Sequence, residues 1–253
     1  MGSVHFNEVI AAEILRRLDI PHAMYKVLEK GDGKTFYSKT PNFTTEKIEF
    51  INANHIFKSF KYDGSNNYDF FISCCEKIGL KKELFEKTMN QMFLVDFIMA
   101  NTDRHFRNFG FLRKSDSLEW IGFAPVYDTG NSLYEGLADI DLKDSYFLDS
   151  KNITAKPFAS NQLDQINILP VQKYCKDLNL NSLGNIGDFI SSVLYSNPRL
   201  SSERKNLIIK NINERVKLAE NIIRQKNIIN IESKSDIRMN PTHSNPDDYG
   251  YSR

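Results

Sequence analysis

Apolar residues recur at helical spacing over residues 5–18 (HFNEVIAAEILRRL), where Phe6, Val9, Ile10, Ile14 and Leu18 share one face and Pro21 follows the end. Two short stretches, Tyr25–Glu29 and Thr35–Lys39, flank GDGK and predict a β-hairpin, with Asp32-Gly33 suited to a turn that requires positive φ. Ile48–Ile51 reads as a strand or as a link into the next helix. From residue 67 the pattern becomes helical, at Tyr68–Ile78 and Lys82–Asn101. The second of these carries Phe85, Met89, Met92, Phe93, Val95, Phe97 and Ile98 on more than one face, which predicts a buried core helix. Two strand candidates follow, Phe109–Arg113 and Glu119–Phe123, joined by KSDS. Residues 135–160 are irregular. Helices are predicted at Asn161–Leu169, Val171–Asp177, Ile186–Ser196 and Ser201–Lys226, the last with Leu207, Ile208, Ile212, Val216, Ala219, Ile222 and Ile223 in one stripe. After Ile231 the chain turns polar, which predicts a disordered tail over 231–253. The outline is α+β: a small mixed lobe on a larger, mainly helical one.

Composition narrows the classes. Thirty-three Lys and Arg against 32 Asp and Glu give a net charge of +1, so no electrostatic case exists for a dedicated nucleic-acid binder. Mean hydropathy is −0.44. The greasiest stretch, Met92–Ala100, is interrupted by Asp96, and no run approaches the roughly 18 apolar residues of a membrane span. The N-terminus shows no secretory signal pattern. Three cysteines, with no Cys-x-x-Cys, read as reduced buried thiols in a cytoplasmic protein.

The candidate chemistry lies in 100–134, ANTDRHFRNFGFLRKSDSLEWIGFAPVYDTGNSLY. A long helix ends at Asn101, Asp103 and Asn108 lie five apart in a polar loop, a hairpin intervenes, and Asp128 follows in Tyr-Asp-Thr-Gly. Phosphoryl transfer needs such a set. One carboxylate orients and deprotonates the attacking hydroxyl, while an amide oxygen and a second carboxylate hold magnesium against the phosphates. Protein kinases space their catalytic-loop Asp and Asn five apart and place a metal-binding Asp after a hairpin. Taken singly, Asp103 fits a helix-end turn, Asn108 a loop cap and Asp128 an Asx-turn before Gly130.

Asn101-Thr102-Asp103-Arg104-His105-x-x-Asn108 resembles the catalytic loop of HipA-type serine/threonine kinases, the toxins of bacterial toxin–antitoxin pairs. Its Asp-Arg-His-x-x-Asn core is also similar to phosphatidylinositol 3/4-kinases. Ala124-Pro125-Val126-Tyr127-Asp128 resembles the metal-binding strand of the HipA family. Asn7-Glu8, on a helix ending in Leu18-Asp19-Ile20-Pro21, is similar to the helix after the lysine strand. Lys156-Pro157-Phe158 resembles a stretch of a clostridial-type branch. The resemblance covers roughly residues 5–225. It implies a protein-kinase-like fold, ATP and Mg2+ as cofactors, Asp103 as catalytic base, Asn108 and Asp128 as metal ligands, and His105 near the ATP phosphates. Arg104 takes a structural role, and Glu8 reads as a solvated first-turn residue favoured by the helix dipole, ahead of a pairing with an ATP-binding lysine. The implied organisation is 1–60 as a remnant of the ATP-binding lobe and hinge, with the adenine hinge sought in Phe43–Asn52, then 61–230 as the helical lobe.

A kinase also needs a glycine-rich loop and a strand lysine, both before the helix that begins near Phe6, where only five residues remain. GDGKT at 31–35 does not supply the loop, because a P-loop would need Gly where Leu28 stands. The chain therefore reads as an N-terminally truncated kinase with weak or absent ATP turnover. Its expected partners are a protein substrate and an antitoxin-like or complementing chain, without direct nucleic-acid or membrane binding. The alternative is a catalytically dead interaction or regulatory module. Asp128-Thr129-Gly130 also matches the aspartic-protease signature, but no second copy occurs and the long helices oppose an all-β protease. Arg104, Arg107 and Arg113 read as solvated, or as a local basic surface.

Overall fold

The computed structural model describes residues 3–235, and the side chains of all of these except 147 and 225–235. α1 (Val4–Arg17) buries Phe6, Ile10, Ile14 and Leu15 in the main core. Leu18 and Ile20 continue that contact past a left-handed Asp19 at φ 54°. β1 (Lys26–Glu29) and β2 (Phe36–Lys39) pair antiparallel, with Lys26 opposite Lys39. Their connection is longer than the two-residue turn that Asp32-Gly33 predicts. Gly31 and Gly33 take φ of 90° and 67°. Glu29 Oε1 accepts from both glycine N–H groups at 2.8 and 2.6 Å, and Asp32 Oδ1 accepts from Lys34 and Thr35 N–H at 2.8 and 2.6 Å. Those amides are engaged by carboxylates of the loop itself, so the loop is no phosphate cradle.

β3 (Ile48–Asn52) pairs antiparallel with β4 (Gly110–Lys114), which pairs with β5 (Trp120–Phe123). The predicted strand within 1–60 is thus built into a sheet with the hairpin that follows residues 101–108. α2 (Ala53–Lys58) was not separately evident in the hydrophobic pattern; Asn52 ends β3 and caps it, its Oδ1 accepting from His55 N–H at 3.0 Å. α3 (Asn67–Lys77) and α4 (Glu86–Met99) follow, with a 3-10 turn at Lys82–Leu84 where the pattern predicts the start of the longer helix. α4 is buried nearly all round and packs on α1 and on later helices, as its two-faced apolar pattern requires. It ends at Ala100 in the left-handed region, φ 52°.

α5 (Ser145–Leu148) is a single turn in the irregular stretch. α6 (Gln162–Ile168), α7 (Val171–Cys175) and α8 (Ile186–Tyr195) match their predicted positions closely. α9 (Ser202–Ser235) runs past its predicted end at 226, with Ile208, Ile212, Val216 and Ala219 buried. Residues 231–235 of the predicted disordered tail are helical as the end of α9, and the rest of that tail, from 236 onward, lies outside the described residues. The core joins these helices through a cluster of aromatic rings in which Phe71 meets Phe106, Phe109, Phe111 and Phe158. All three cysteines are free and buried, as their count predicts, and burial pushes the Cys75 thiol above its usual range and Cys175 up to about 12. Among the described residues no helix is long and apolar enough to cross a membrane.

Candidate active site

The loop 101–108 follows α4 and is fixed from below by two side chains. Phe106 stacks on Phe57 at 4.4 Å and meets Phe158 at 5.6 Å. Arg104 is 1% exposed, so it is neither solvated nor part of a basic surface. Its Nε and Nη2 donate to Asp96 on α4 at 2.8 and 3.1 Å. Its Nη1 donates to the carbonyl of Asn108 at 2.7 Å and to that of Tyr127. One guanidinium therefore joins the helix, the loop and the segment that carries Asp128. Burial works against its charge, but the carboxylates of Asp96, Asp128 and Glu8 together outweigh it and the Arg104 pKa is raised. Of the other arginines, Arg107 is exposed, whereas Arg113 pairs with Glu49 at 2.6 Å and lies over Trp120.

A second polar chain supports the loop from the side. Asn101 Nδ2 donates to Asp96 Oδ1 at 2.7 Å, and Gln162 on α6 donates to the Asn101 carbonyl at 2.9 Å. Arg215 on α9 donates to Gln162 Oε1 and, at 2.7 Å, to the Phe97 carbonyl. Three residues from three helices, Asp96, Gln162 and Arg215, thereby hold Asn101 at one end of the loop.

Asp103 is half-buried at the surface of this scaffold. Its N–H is held by Asn101 Oδ1 at 3.1 Å. Its Oδ2 accepts from Asn131 Nδ2 at 3.3 Å and lies 4.0 Å from His105 Nε2; its Oδ1 accepts from Lys156 Nζ at 2.8 Å. Asn108 is buried, and its Nδ2 donates to the Asp103 carbonyl at 3.0 Å, which leaves its Oδ1 as the atom able to face a cation. Asp128 is exposed, with φ 55°, and its N–H donates to the Tyr25 hydroxyl at 3.3 Å. The segment before it is tied to the chain after α1 by an isolated bridge, Val126 N–H donating to the Pro21 carbonyl at 2.9 Å and Ala23 N–H to the Val126 carbonyl at 2.8 Å. Beside it Phe43, Phe50 and Tyr127 form a triangle of rings 5.6 to 5.7 Å apart. This ring triangle brings the segment searched for the adenine hinge next to the Asp128 segment.

Glu8 is neither solvated nor placed to await a lysine. It is 5% exposed and accepts from Thr129 N–H and Gly130 N–H at 3.0 Å and from Thr129 Oγ1 at 2.6 Å. Burial raises its pKa, and the Thr129 hydrogen bonds only partly oppose that. Asn7 adds donors to the Gly130 and Ser132 carbonyls at 2.9 and 2.8 Å. Gly130 is required by closeness: a Cβ there would sit 2.4 Å from Val4 Cγ1. The Thr129 and Gly130 amides are thus bound to α1, and the fold is not that of an all-β protease.

The predicted Asp103, His105 and Asn108 share one short loop, and Arg104 bonds that loop to the Asp128 segment. The contacts of Lys156, Asn131 and Glu8 could not be found by spacing, since their partners lie 53, 28 and 121 residues away. The chemistry of the donors fits magnesium delivered with a nucleotide. Among the described residues no cluster of three His, Cys, Asp or Glu could hold a metal alone, and Mg2+ is usually bound by one or two carboxylates plus substrate phosphates.

Residues 1–167 match the family described as HipA-like C-terminal domain. The chain belongs to that family. It is 26% identical over 216 residues to the serine/threonine-protein kinase CtkA of Helicobacter pylori, covering 81% of this chain and 63% of CtkA. The chain thus spans under two thirds of that relative's length. The crystal structure of CtkA, a proinflammatory kinase of Helicobacter pylori, superposes with a TM-score of 0.61 at 19% identity over 89% of this chain and 85% of that one, so the fold is shared. HipA of Shewanella oneidensis, solved with HipB and operator DNA, gives a TM-score of 0.48 at 12% identity over 87% of this chain and 57% of that one.

Proposed function

We propose that this HipA-like chain carries the catalytic lobe of a serine/threonine kinase that transfers the γ-phosphate of ATP to a protein hydroxyl. The carrying observation is the Arg104 junction, which bonds the Asp103–Asn108 loop to the segment that leads into Asp128 in one buried network. Asp103 orients the acceptor hydroxyl and takes its proton at the carboxylate. Asn108 Oδ1 and the Asp128 carboxylate hold magnesium, which, when bound, neutralises phosphate charge. His105 faces the phosphates, and the edge-to-face cluster of Phe43, Phe50 and Tyr127 offers an aromatic wall to the adenine.

Calorimetric titration of the full chain and of Asp128→Ala with MgATP tests this. The expected result is micromolar binding that falls at least about tenfold in the variant, the size of one lost charge-assisted contact. No binding by the unaltered chain overturns the catalytic proposal and favours the kinase-derived interaction module, with an antitoxin-like or complementing partner to be sought.

A further inference from the structure

Resting on the kinase reading above, we propose that Lys156 is the cation that meets the transferred phosphoryl group, held on Asp103 until a nucleotide arrives. The ammonium lies 2.8 Å from Asp103 Oδ1. That pair does little for the fold. Lys156 is 48% and Asp103 31% exposed, and ion pairs this open to water contribute little to stability. The placement of Lys156 is nevertheless built rather than incidental. Its neighbour Ala155 is buried and donates its N–H to the Ser160 carbonyl at 3.1 Å. Phe158 donates its N–H to Gln165 Oε1 at 3.1 Å, and its ring packs on Phe106 of the catalytic loop and on Phe71 and Phe93 of the core. The core residues that fix the loop therefore also fix the segment that aims Lys156 at it.

The remaining surroundings of Lys156 favour an anion. It lines an open hollow of about 340 Å³ with Asn54, His105, Phe106, Arg107 and Pro157. The other ionisable residues of that hollow are a histidine and an arginine, and no carboxylate lines it. An ammonium on a four-carbon stem carries three donors and reorients easily between anions a few ångström apart. While it sits on Oδ1 it occupies the oxygen that must accept from the acceptor hydroxyl. Moving to the phosphoryl oxygens releases that oxygen and places positive charge where it is needed.

In the transfer step the acceptor oxygen bonds to the γ-phosphorus and the bond from that phosphorus to the β–γ bridging oxygen breaks. The electron pair leaves with ADP, and the hydroxyl proton passes to Asp103. Lys156 gives up no proton. It neutralises the outer phosphoryl oxygens.

A γ-phosphate contact separates ATP from ADP, which a merely structural ion pair does not. MgATP and MgADP are titrated calorimetrically into the full chain and into Lys156→Met, Lys156→Arg and Asp103→Asn. Lys156→Met is expected to weaken MgATP about tenfold and leave MgADP unchanged, with Lys156→Arg retaining most of the preference. Asp103→Asn frees the ammonium beforehand and is expected to bind MgATP more tightly than the unaltered chain. Equal loss for both nucleotides, no loss for either, or an Asp103→Asn chain that binds MgATP no more tightly overturns the proposal, and the last outcome decides even if Lys156→Met fails to fold. An unaltered chain that binds no MgATP fails the kinase reading itself, and this proposal with it. Normal MgATP binding without the Lys156 effect fails only this proposal.

Discussion

Arg104→Met removes the buried guanidinium while keeping a long apolar side chain. Asp96, 3% exposed, then retains only Asn101 Nδ2 at 2.7 Å as a side-chain donor. Breaking a buried pair by deleting one partner costs about 3–5 kcal/mol, because the surviving charge stays buried. The carbonyls of Asn108 and Tyr127 also lose a donor, so about 4 kcal/mol is a lower figure for the whole change. Against a total stability of about 5–15 kcal/mol this is large. In a chain of this size each kcal/mol moves Tm by about 2–4 °C, so the midpoint is expected to drop by about 8–16 °C. Thermal unfolding followed by circular dichroism reads this directly. A double-mutant cycle with Asp96→Asn separates the pair from simple loss of volume. Removing the surviving charge should make the double variant at least about 2 kcal/mol more stable than the sum of the single losses predicts. A midpoint shift under about 3 °C, or strictly additive losses, would show that Arg104 is not the junction described.

Glu8 gives a pH signature. Its folded pKa is raised, so the folded state binds the proton more tightly, and stability present below the ordinary glutamate value of 4.5 is lost as pH rises through the folded value. Glu8→Gln should remove that slope, at most about 1.4 kcal/mol per pH unit, from urea melts taken upward from pH 4.5. An unchanged slope would place the titration elsewhere. Gly130→Ala puts a Cβ 2.4 Å from Val4 Cγ1 and should cost about 1–3 kcal/mol in the same melts. Adding Val4→Ala should recover part of that loss, and no recovery would mean that the Val4 side chain is not the obstacle.

Legibility in the sequence followed the range of each interaction. α1, α4 and α9 declared themselves because their apolar stripes repeat over many turns, and the loop chemistry was visible because Asp103, His105 and Asn108 lie within six positions. α2 was hidden by its brevity, six residues begun by an Asn52 that also ends a strand. Arg104 could be assigned to holding the loop, but its complete burial depends on Asp96 and on two carbonyls, one of them 23 residues away. Glu8 was misplaced for a definite reason. The field of a helix N-terminus favours an exposed carboxylate there, but the Thr129 and Gly130 amides, brought in by the fold, offered stronger donors. Lys156 stood in a recognisable Lys-Pro-Phe stretch, yet its contact with Asp103 is a product of tertiary structure alone.

The bond from Arg215 through Gln162 to Asn101 also sets an order of events during synthesis. A ribosome emits a chain at about 5–20 residues per second, N-terminus first. The 101–108 loop therefore emerges more than a hundred positions before the arginine that completes its side support. Arg204, which holds the carbonyls of Tyr134 and Leu137 beyond the Asp128 segment, emerges equally late. For several seconds the nascent polypeptide exposes Asp103 and Asn108 without the braces that fix them. The loop is thus braced only once residue 215 has emerged, and a chain stalled before that point holds Asp103 and Asn108 without the support from α9.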